Sequence, residues 1–133
     1  MALRTKCIFD PKEKDDGLRV SIMRSHNNPD GVTPDSRIQK DLFNRHLSNL
    51  APSEELLGQF HRRRVAWEEF EKRFSWELEL GDNPVTLREI AKISLRTNVT
   101  ILSVERDSRF SHRRVVADKC QQLVPGILVE HYI

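Results

Sequence analysis

The chain has 133 residues, enough for one domain built around one hydrophobic core. Lys and Arg number 22 and Asp and Glu number 20, so the formal net charge is only +2. This balance excludes nucleic-acid binding that depends on the overall field of a protein, and no apolar run is long enough for a membrane-spanning helix. Because the first residues do not resemble a signal peptide, we expect a single domain over residues 1–133, without membrane association and located in the cytoplasm.

The first fifth of the sequence predicts two strands and a polar loop. Leu3–Phe9 and Leu18–Met23 are rich in apolar and β-branched residues, and a charged turn ending at Gly17 separates them. This arrangement fits a hairpin. The segment 24–31 is rich in turn-forming residues and has no apolar anchor, so it is expected to be a surface loop.

Four helices are predicted in the middle of the chain. The first begins at Thr33-Pro34 and carries an apolar stripe through Leu42 to His46 or Leu47, and the second is capped by Ser53 and runs through Phe60. The third covers Val65–Leu80, where aromatic residues recur at helical spacing and are expected to form core. The fourth begins at Asp82-Asn-Pro84 and presents Leu87, Ile90, Ala91 and Leu95.

The last third of the chain predicts a strand, a helix and a strand. Val99–Val104 is a short apolar run, a helix follows and ends near Val124, and Ile127–Tyr132 forms the final strand after a Pro-Gly turn. Such a unit places its two strands parallel. The predicted fold class is therefore α/β, with a small sheet of about four strands, a C-terminal βαβ unit and a helical middle segment that covers the sheet.

Polar side chains cluster where the Val99–Val104 strand meets the next helix. Ser103 and Glu105 are two residues apart near the end of the strand, and Ser108 or Ser111 can cap the helix that starts with His112 and Arg113. Cations at a helix N-terminus oppose the helix dipole. An anionic ligand bound to the first-turn amides would satisfy both the dipole and the arginines, which predicts an anion-binding site at the carboxyl end of the sheet.

The same residues allow a purely structural interpretation. Glu105 and Asp107 could neutralise the neighbouring arginines as an ion-pair cluster, with no ligand involved. Sequence alone does not decide between the two interpretations.

Signatures of other chemistry are missing. The chain has five glycines and neither a GxGxxG nor a GxxxxGK[ST] motif, so no cofactor is predicted. The five histidines show no metal-ligand spacing, so no metal site is predicted. Cys7 and Cys120 are far apart and have no CxxC partner, which in a reducing compartment predicts two buried thiols.

Several segments, spread over nearly the whole chain, resemble the YeaO-like branch of the family called domain of unknown function 488. They occur in the order of that branch: Ile8-Phe-Asp-Pro11, Asp16-Gly-Leu-Arg-Val20, Leu50-Ala-Pro-Ser53, Trp67-Glu-Glu-Phe70 and Val99-Thr-Ile-Leu102. The polar loop is more similar to the family's other branch, in which a strand ends in Cys-Ala-Glu-Lys-Asp and Cys-His-Arg follows. Ser103-Val-Glu-Arg-Asp107 and Ser111-His-Arg113 match it without a gap.

Departures from the family pattern limit what the resemblance implies. Serine replaces both cysteines, at Ser103 and Ser111, so any thiol chemistry of the family is not expected here. The segment Val20-Ser-Ile-Met-Arg-Ser25 resembles a strand ending in Asp-Val-Arg-Ser, so Arg24 and Ser25 are retained whereas Ile22 replaces the aspartate. The family brings no established activity, and the retained residues are polar and suited to anions.

Three functional hypotheses follow from these observations. The favoured one is a pocket for a small phosphate-like or nucleotide-like anion, with Glu105 or His112 as the acid or base of a hydrolytic reaction. Its ligand-binding residues are Arg24, Ser25, Ser103, Asp107, Ser111 and Arg113. The alternatives are nucleic-acid binding through Arg62–Arg64 with Arg109, Arg113 and Arg114, and a degenerate interaction module without catalysis.

Overall fold

Five parallel strands form one sheet in the computed structural model, which describes residues 1–28 and 32–132. The strands are β1 (Leu3–Cys7), β2 (Leu18–Ser21), β3 (Arg45–His46), β4 (Val99–Ser103) and β5 (Val129–His131). Their order in the sheet is β3-β2-β4-β1-β5. The predicted α/β class is confirmed, and the sheet has one strand more than expected.

The central strand β4 is buried along its whole length between β1 and β2. Its sequence, Val-Thr-Ile-Leu-Ser, is typical of a parallel strand covered on both faces. Leu3 of β1 and Leu18 of β2 both pair with Val99, so the three strands share one register. This register brings the carboxyl ends of β1, β2 and β4 to one edge of the sheet.

The predicted hairpin between the first two strands is wrong. β1 and β2 are not neighbours, because β4 inserts between them and pairs with both in parallel. The connection from Ile8 to Gly17 instead crosses the sheet and contains one turn of 3-10 helix, Lys14–Asp16. Short sequence separation favours a local hairpin, but pairing with the fully buried strand β4 on both sides decides the order of the strands.

The predicted helix starting at Thr33-Pro34 is also wrong. The segment contains only a 3-10 turn at Lys40–Leu42, followed by the edge strand β3. β3 pairs with β2, and these backbone hydrogen bonds replace those of a helix. Tertiary pairing therefore overrides the helical periodicity of the stripe. The predicted loop 24–31 lies partly outside the described residues.

The other predicted helices are present. They are α1 (Glu54–His61), α2 (Trp67–Glu77), α3 (Asn83–Ser94) and α4 (His112–Leu123). Ser53 caps α1 as predicted, because its hydroxyl accepts a hydrogen bond from the Leu56 amide. The apolar side chains of the helices form one core with those of the sheet, including Phe70 and Phe74 of α2 and Ile101 of β4.

The face of the sheet that points away from this apolar core is charged. Arg4, Lys6 and Arg19 project from this charged face, and the buried carboxylate of Asp16 binds all three. The two cysteines are free thiols and buried, as predicted. None of the helices in the described part of the chain has the length and apolar character needed to cross a bilayer.

Candidate functional site

A cleft of about 670 Å³ opens at the carboxyl edge of the sheet. The segment after β2 contributes Arg24 and Ser25 to its lining, and the segment after β4 contributes Glu105 and His112. Helix α1 and the start of α2 complete the wall. The carboxyl edge is where ligands bind in open α/β sheets, and the volume is within the range of small-molecule sites.

Glu105 and His112 form a close pair beside this cleft. One carboxylate oxygen of Glu105, Oε1, accepts a hydrogen bond of 2.8 Å from the backbone N–H of His112, the first residue of α4. The other oxygen, Oε2, lies 2.7 Å from His112 Nε2. At this distance the two buried atoms are each other's partners, and they form an ion pair when the ring is protonated.

Glu105 therefore supplies the negative charge that the N-terminus of α4 attracts. A carboxylate at this position complements the helix dipole and satisfies a first-turn amide. The structural interpretation of Glu105 thus accounts for the helix end without an external anion. Any ligand of the cleft must be held by other groups.

The pKa of Glu105 is lowered in the folded protein. Burial acts to raise it, but the charge and side-chain contact of His112 and the hydrogen bond from the His112 amide outweigh the burial. Glu105 consequently remains a carboxylate at neutral pH.

Arg113 lies behind the cleft and not in it. Its side chain is buried, and its guanidinium donates to the hydroxyl of Ser103 at 3.0 Å and to the backbone carbonyl of Glu105 at 2.7 Å. Arg113 thus ties the end of β4 to α4 and fixes the backbone that carries Glu105. In this position neither Arg113 nor Ser103 lines the cleft.

Two other predicted ligand-binding residues also face away from the cleft. Ser111 occupies the N-cap position of α4, but its buried hydroxyl donates to the carbonyl of Ser108 at 3.0 Å. Asp107 is at the surface, where its carboxylate binds the exposed guanidinium of Arg109 at 2.9 Å. Both side chains organise the loop between β4 and α4.

Arg24 and Ser25 are exposed at the rim of the cleft. The guanidinium of Arg24 donates from Nε and Nη2 to the carbonyl of Pro52, at 3.1 and 2.8 Å. A guanidinium has five N–H donors, so Arg24 is anchored by two of them, and the other three have no partner within residues 1–28 and 32–132.

Aromatic residues form a part of the cleft that sequence reasoning missed. Phe60, Trp67, Phe70 and Phe110 all line it. The helical spacing of the aromatics in α2 correctly predicts that Phe70 and Phe74 are core, but it does not show that Trp67 reaches the cleft. Phe110 belongs to a separate loop, so no periodicity links it to Trp67.

Two further predictions concern metals and arginine clusters. Within residues 1–28 and 32–132, no group of three His, Cys, Asp or Glu side chains is arranged to hold a metal ion. Arg62–Arg64 are exposed at the end of α1, but Arg113 is buried and Arg114 donates to the carbonyl of Ser108. The arginines invoked for nucleic acid therefore do not form one exposed surface.

Comparison with known proteins agrees with the resemblance seen in the sequence. Uncharacterized proteins Mb3100c of Mycobacterium bovis and Rv3073c of Mycobacterium tuberculosis are each 28% identical over 115 residues, covering 86% of this chain and 90% of theirs. No solved structure matches. The model of the family DUF488-N3a, described as the active DUF488-N3 subclade, matches residues 3–123. The chain belongs to this DUF488 family.

Proposed function

We propose that the cleft binds a small phosphate-like anion and that His112 transfers a proton to or from it. The observation that carries this proposal is the convergence of Arg24, Ser25, Glu105 and His112, from two distant parts of the sequence, on one cleft. Arg24 is the anion-binding group, because its guanidinium is exposed, anchored and only partly used. Ser25, beside it, offers a hydroxyl.

The Glu105–His112 pair supplies the acid–base chemistry. Glu105 is held ionised, so it orients the imidazole and stabilises the positive charge that the ring gains when His112 accepts a proton in the reaction. Oε2 of Glu105 and Nε2 of His112 lie 2.7 Å apart, so the carboxylate is already in position to hold the ring when a ligand enters the cleft.

The reaction class that suits this pair is hydrolysis of a phosphate ester. Water adds to phosphorus, the ester P–O bond breaks, and His112 gives its proton to the departing oxygen and regains one from the attacking water. The family match supports an activity to the extent that its subclade is described as active.

Steady-state hydrolysis of para-nitrophenyl phosphate tests the assignment. His112→Gln should lower kcat by about 10²-fold or more, the usual contribution of a general acid. Arg24→Ala should raise KM with a smaller change in kcat, because it removes ligand binding. Arg88→Ala is the matched control, since Arg88 is exposed on α3 and does not line the cleft.

Binding gives the second measurement. Isothermal titration with inorganic phosphate, pyrophosphate and ribose 5-phosphate at low ionic strength should show binding that Arg24→Ala removes and Arg88→Ala preserves. If the wild-type protein neither binds nor hydrolyses any phosphate compound, the proposed function is wrong. If it hydrolyses the ester equally well in the His112→Gln variant, the role of His112 is wrong.

A further inference from the structure

One wall of the cleft is a continuous set of aromatic rings, Phe60, Trp67, Phe70 and Phe110. The Trp67 indole stacks on Phe70 with ring centroids 5.2 Å apart, and it meets Phe110 edge to face at 5.9 Å. Phe60 packs against Phe70 at 4.7 Å. The rings hold one another, so the wall is preformed.

Exposure separates the ligand-facing rings from the core ring. Phe70 is only 1% exposed, which is expected of a side chain covered on all sides. Phe110 is 45% exposed and Trp67 is half-buried, and both line the cleft. Apolar surface exposed in a concave site is typical of a binding surface, because a ligand can remove it from water.

The charge of the same cleft defines the rest of the ligand. Arg24 has N–H donors without a partner among the described residues, whereas Arg37 is already paired with Asp35. Two more carboxylates line the cleft: Glu105 is paired with His112, and Glu54 is exposed. A complementary ligand therefore has an anionic group for Arg24 and a flat ring for the aromatic wall. A sugar phosphate alone would leave the aromatic wall in water.

We infer that the cleft takes a mononucleotide, with its base against Trp67 and Phe110 and its phosphate on Arg24. This inference rests on the proposed function for the phosphate and adds the base. Every nucleobase has a flat face that stacks on aromatic side chains, and the cleft volume of about 670 Å³ suits one small ligand.

The decisive comparison is between ligands that share a phosphate and differ in the base. The dissociation constants of ribose 5-phosphate and of the four ribonucleoside 5′-monophosphates are measured by isothermal titration calorimetry. At least one nucleotide should bind about 5- to 150-fold more tightly than ribose 5-phosphate, the range that stacking on an aromatic side chain provides.

Variants test whether the tighter binding of the nucleotide depends on the aromatic wall. Phe110→Leu keeps an apolar side chain at an exposed position, so the fold should survive, and it should remove most of the difference between the nucleotide and ribose 5-phosphate. Trp76→Leu is the matched control: Trp76 lies on α2 like Trp67, is 62% exposed and does not line the cleft. It should preserve the difference.

Fluorescence gives an independent signal. The chain has two tryptophans, so Trp67 is the only fluorophore of its kind in a Trp76→Phe variant. Excited at 295 nm, this variant should be quenched by the nucleotide and unaffected by ribose 5-phosphate at saturation. A nucleoside without phosphate should quench at higher concentration, because it lacks the contact with Arg24.

The outcomes separate this inference from the proposed function. If ribose 5-phosphate binds in an Arg24-dependent manner and no nucleotide binds more tightly, the base site is wrong and the anion site stands. If nothing binds, both are wrong. If a single-stranded oligonucleotide binds much more tightly than any mononucleotide, with a steep salt dependence, the ligand is a polymer and the inference is overturned.

Discussion

Asp16 should be the charged group on which the folded state depends most. Its carboxylate is completely buried and accepts hydrogen bonds from Arg4 at 3.2 Å, from Lys6 at 3.1 Å and from Arg19. It also accepts the Glu13 amide at 3.0 Å. One negative charge thus holds three cations on the charged face. We predict that Asp16→Asn destabilises the fold, because among the described residues it leaves Arg4 and Arg19 without a paired carboxylate and Lys6 with only the half-exposed Glu13.

The expected loss of stability in Asp16→Asn follows from the burial of this carboxylate. Removing one partner from a buried ion pair costs about 3–5 kcal/mol, because the remaining charge stays out of water. A domain of this size has a stability of about 5–15 kcal/mol, so the loss is a large fraction of the total. With a urea dependence of about 2 kcal/mol per molar, the unfolding midpoint should fall by roughly 2 M.

Urea unfolding monitored by circular dichroism measures this change. Asp107→Asn is the matched control, because it removes a carboxylate that pairs with an arginine at the surface, and its midpoint should equal that of the wild type. Combining Asp16→Asn with Lys6→Met should recover part of the loss, because it removes a buried cation that is left with only the half-exposed Glu13. Equal midpoints for Asp16→Asn and Asp107→Asn would show that the charged face does not depend on this carboxylate.

Two further predictions concern the backbone and pH. Gly17 has φ of 63°, and a Cβ at this position would lie 2.0 Å from the carbonyl oxygen of Asn98. Gly17→Ala should therefore lower the free energy of unfolding in urea by at least about 1–3 kcal/mol. Gly126→Ala is the control and should not lower it, because the space around Gly126 is open. Burial lowers the pKa values of His26 and His131 from 6.5 to about 4. As the pH decreases, these histidines take up protons in the unfolded chain before they do so in the folded protein, so thermal stability should fall between about pH 6.5 and 4. The fall should be weaker when both histidines are replaced by Gln. If the variant and the wild type show the same dependence of thermal stability on pH, the prediction is wrong.

Local signals in the sequence predict the elements that depend on local chemistry. The Ser53 cap, the Asp-Asn-Pro start of α3 and the apolar run of β4 are each determined by a few neighbouring residues, and all three are present in the structure. The helix predicted for the segment 33–47 is absent for the opposite reason. Its apolar spacing fits a helix, but pairing of β3 with β2 across the chain decides its structure.

The candidate site likewise combines features that depend on local sequence with features that depend on tertiary packing. The sequence predicts Glu105 and His112 near the two ends of one loop, between β4 and α4, but it does not show that they touch; the structure shows this contact. The position of Arg24 beside them depends on β2 and β4 being neighbours, which a predicted hairpin between β1 and β2 does not provide. Trp67 and Phe110 meet only through tertiary packing, so no sequence pattern connects them.

Electrostatics at the start of α4 explains why the ligand should be sought at Arg24. Basic residues at a helix N-terminus require a negative partner, and the sequence leaves open whether a ligand or a side chain provides it. Glu105 provides it, at 2.8 Å from the first amide of the helix. A phosphate cannot occupy the same place without displacing a carboxylate that is already ionised and bound. We therefore expect the anion at Arg24, which lines the same cleft and uses two of its N–H donors on the carbonyl of Pro52.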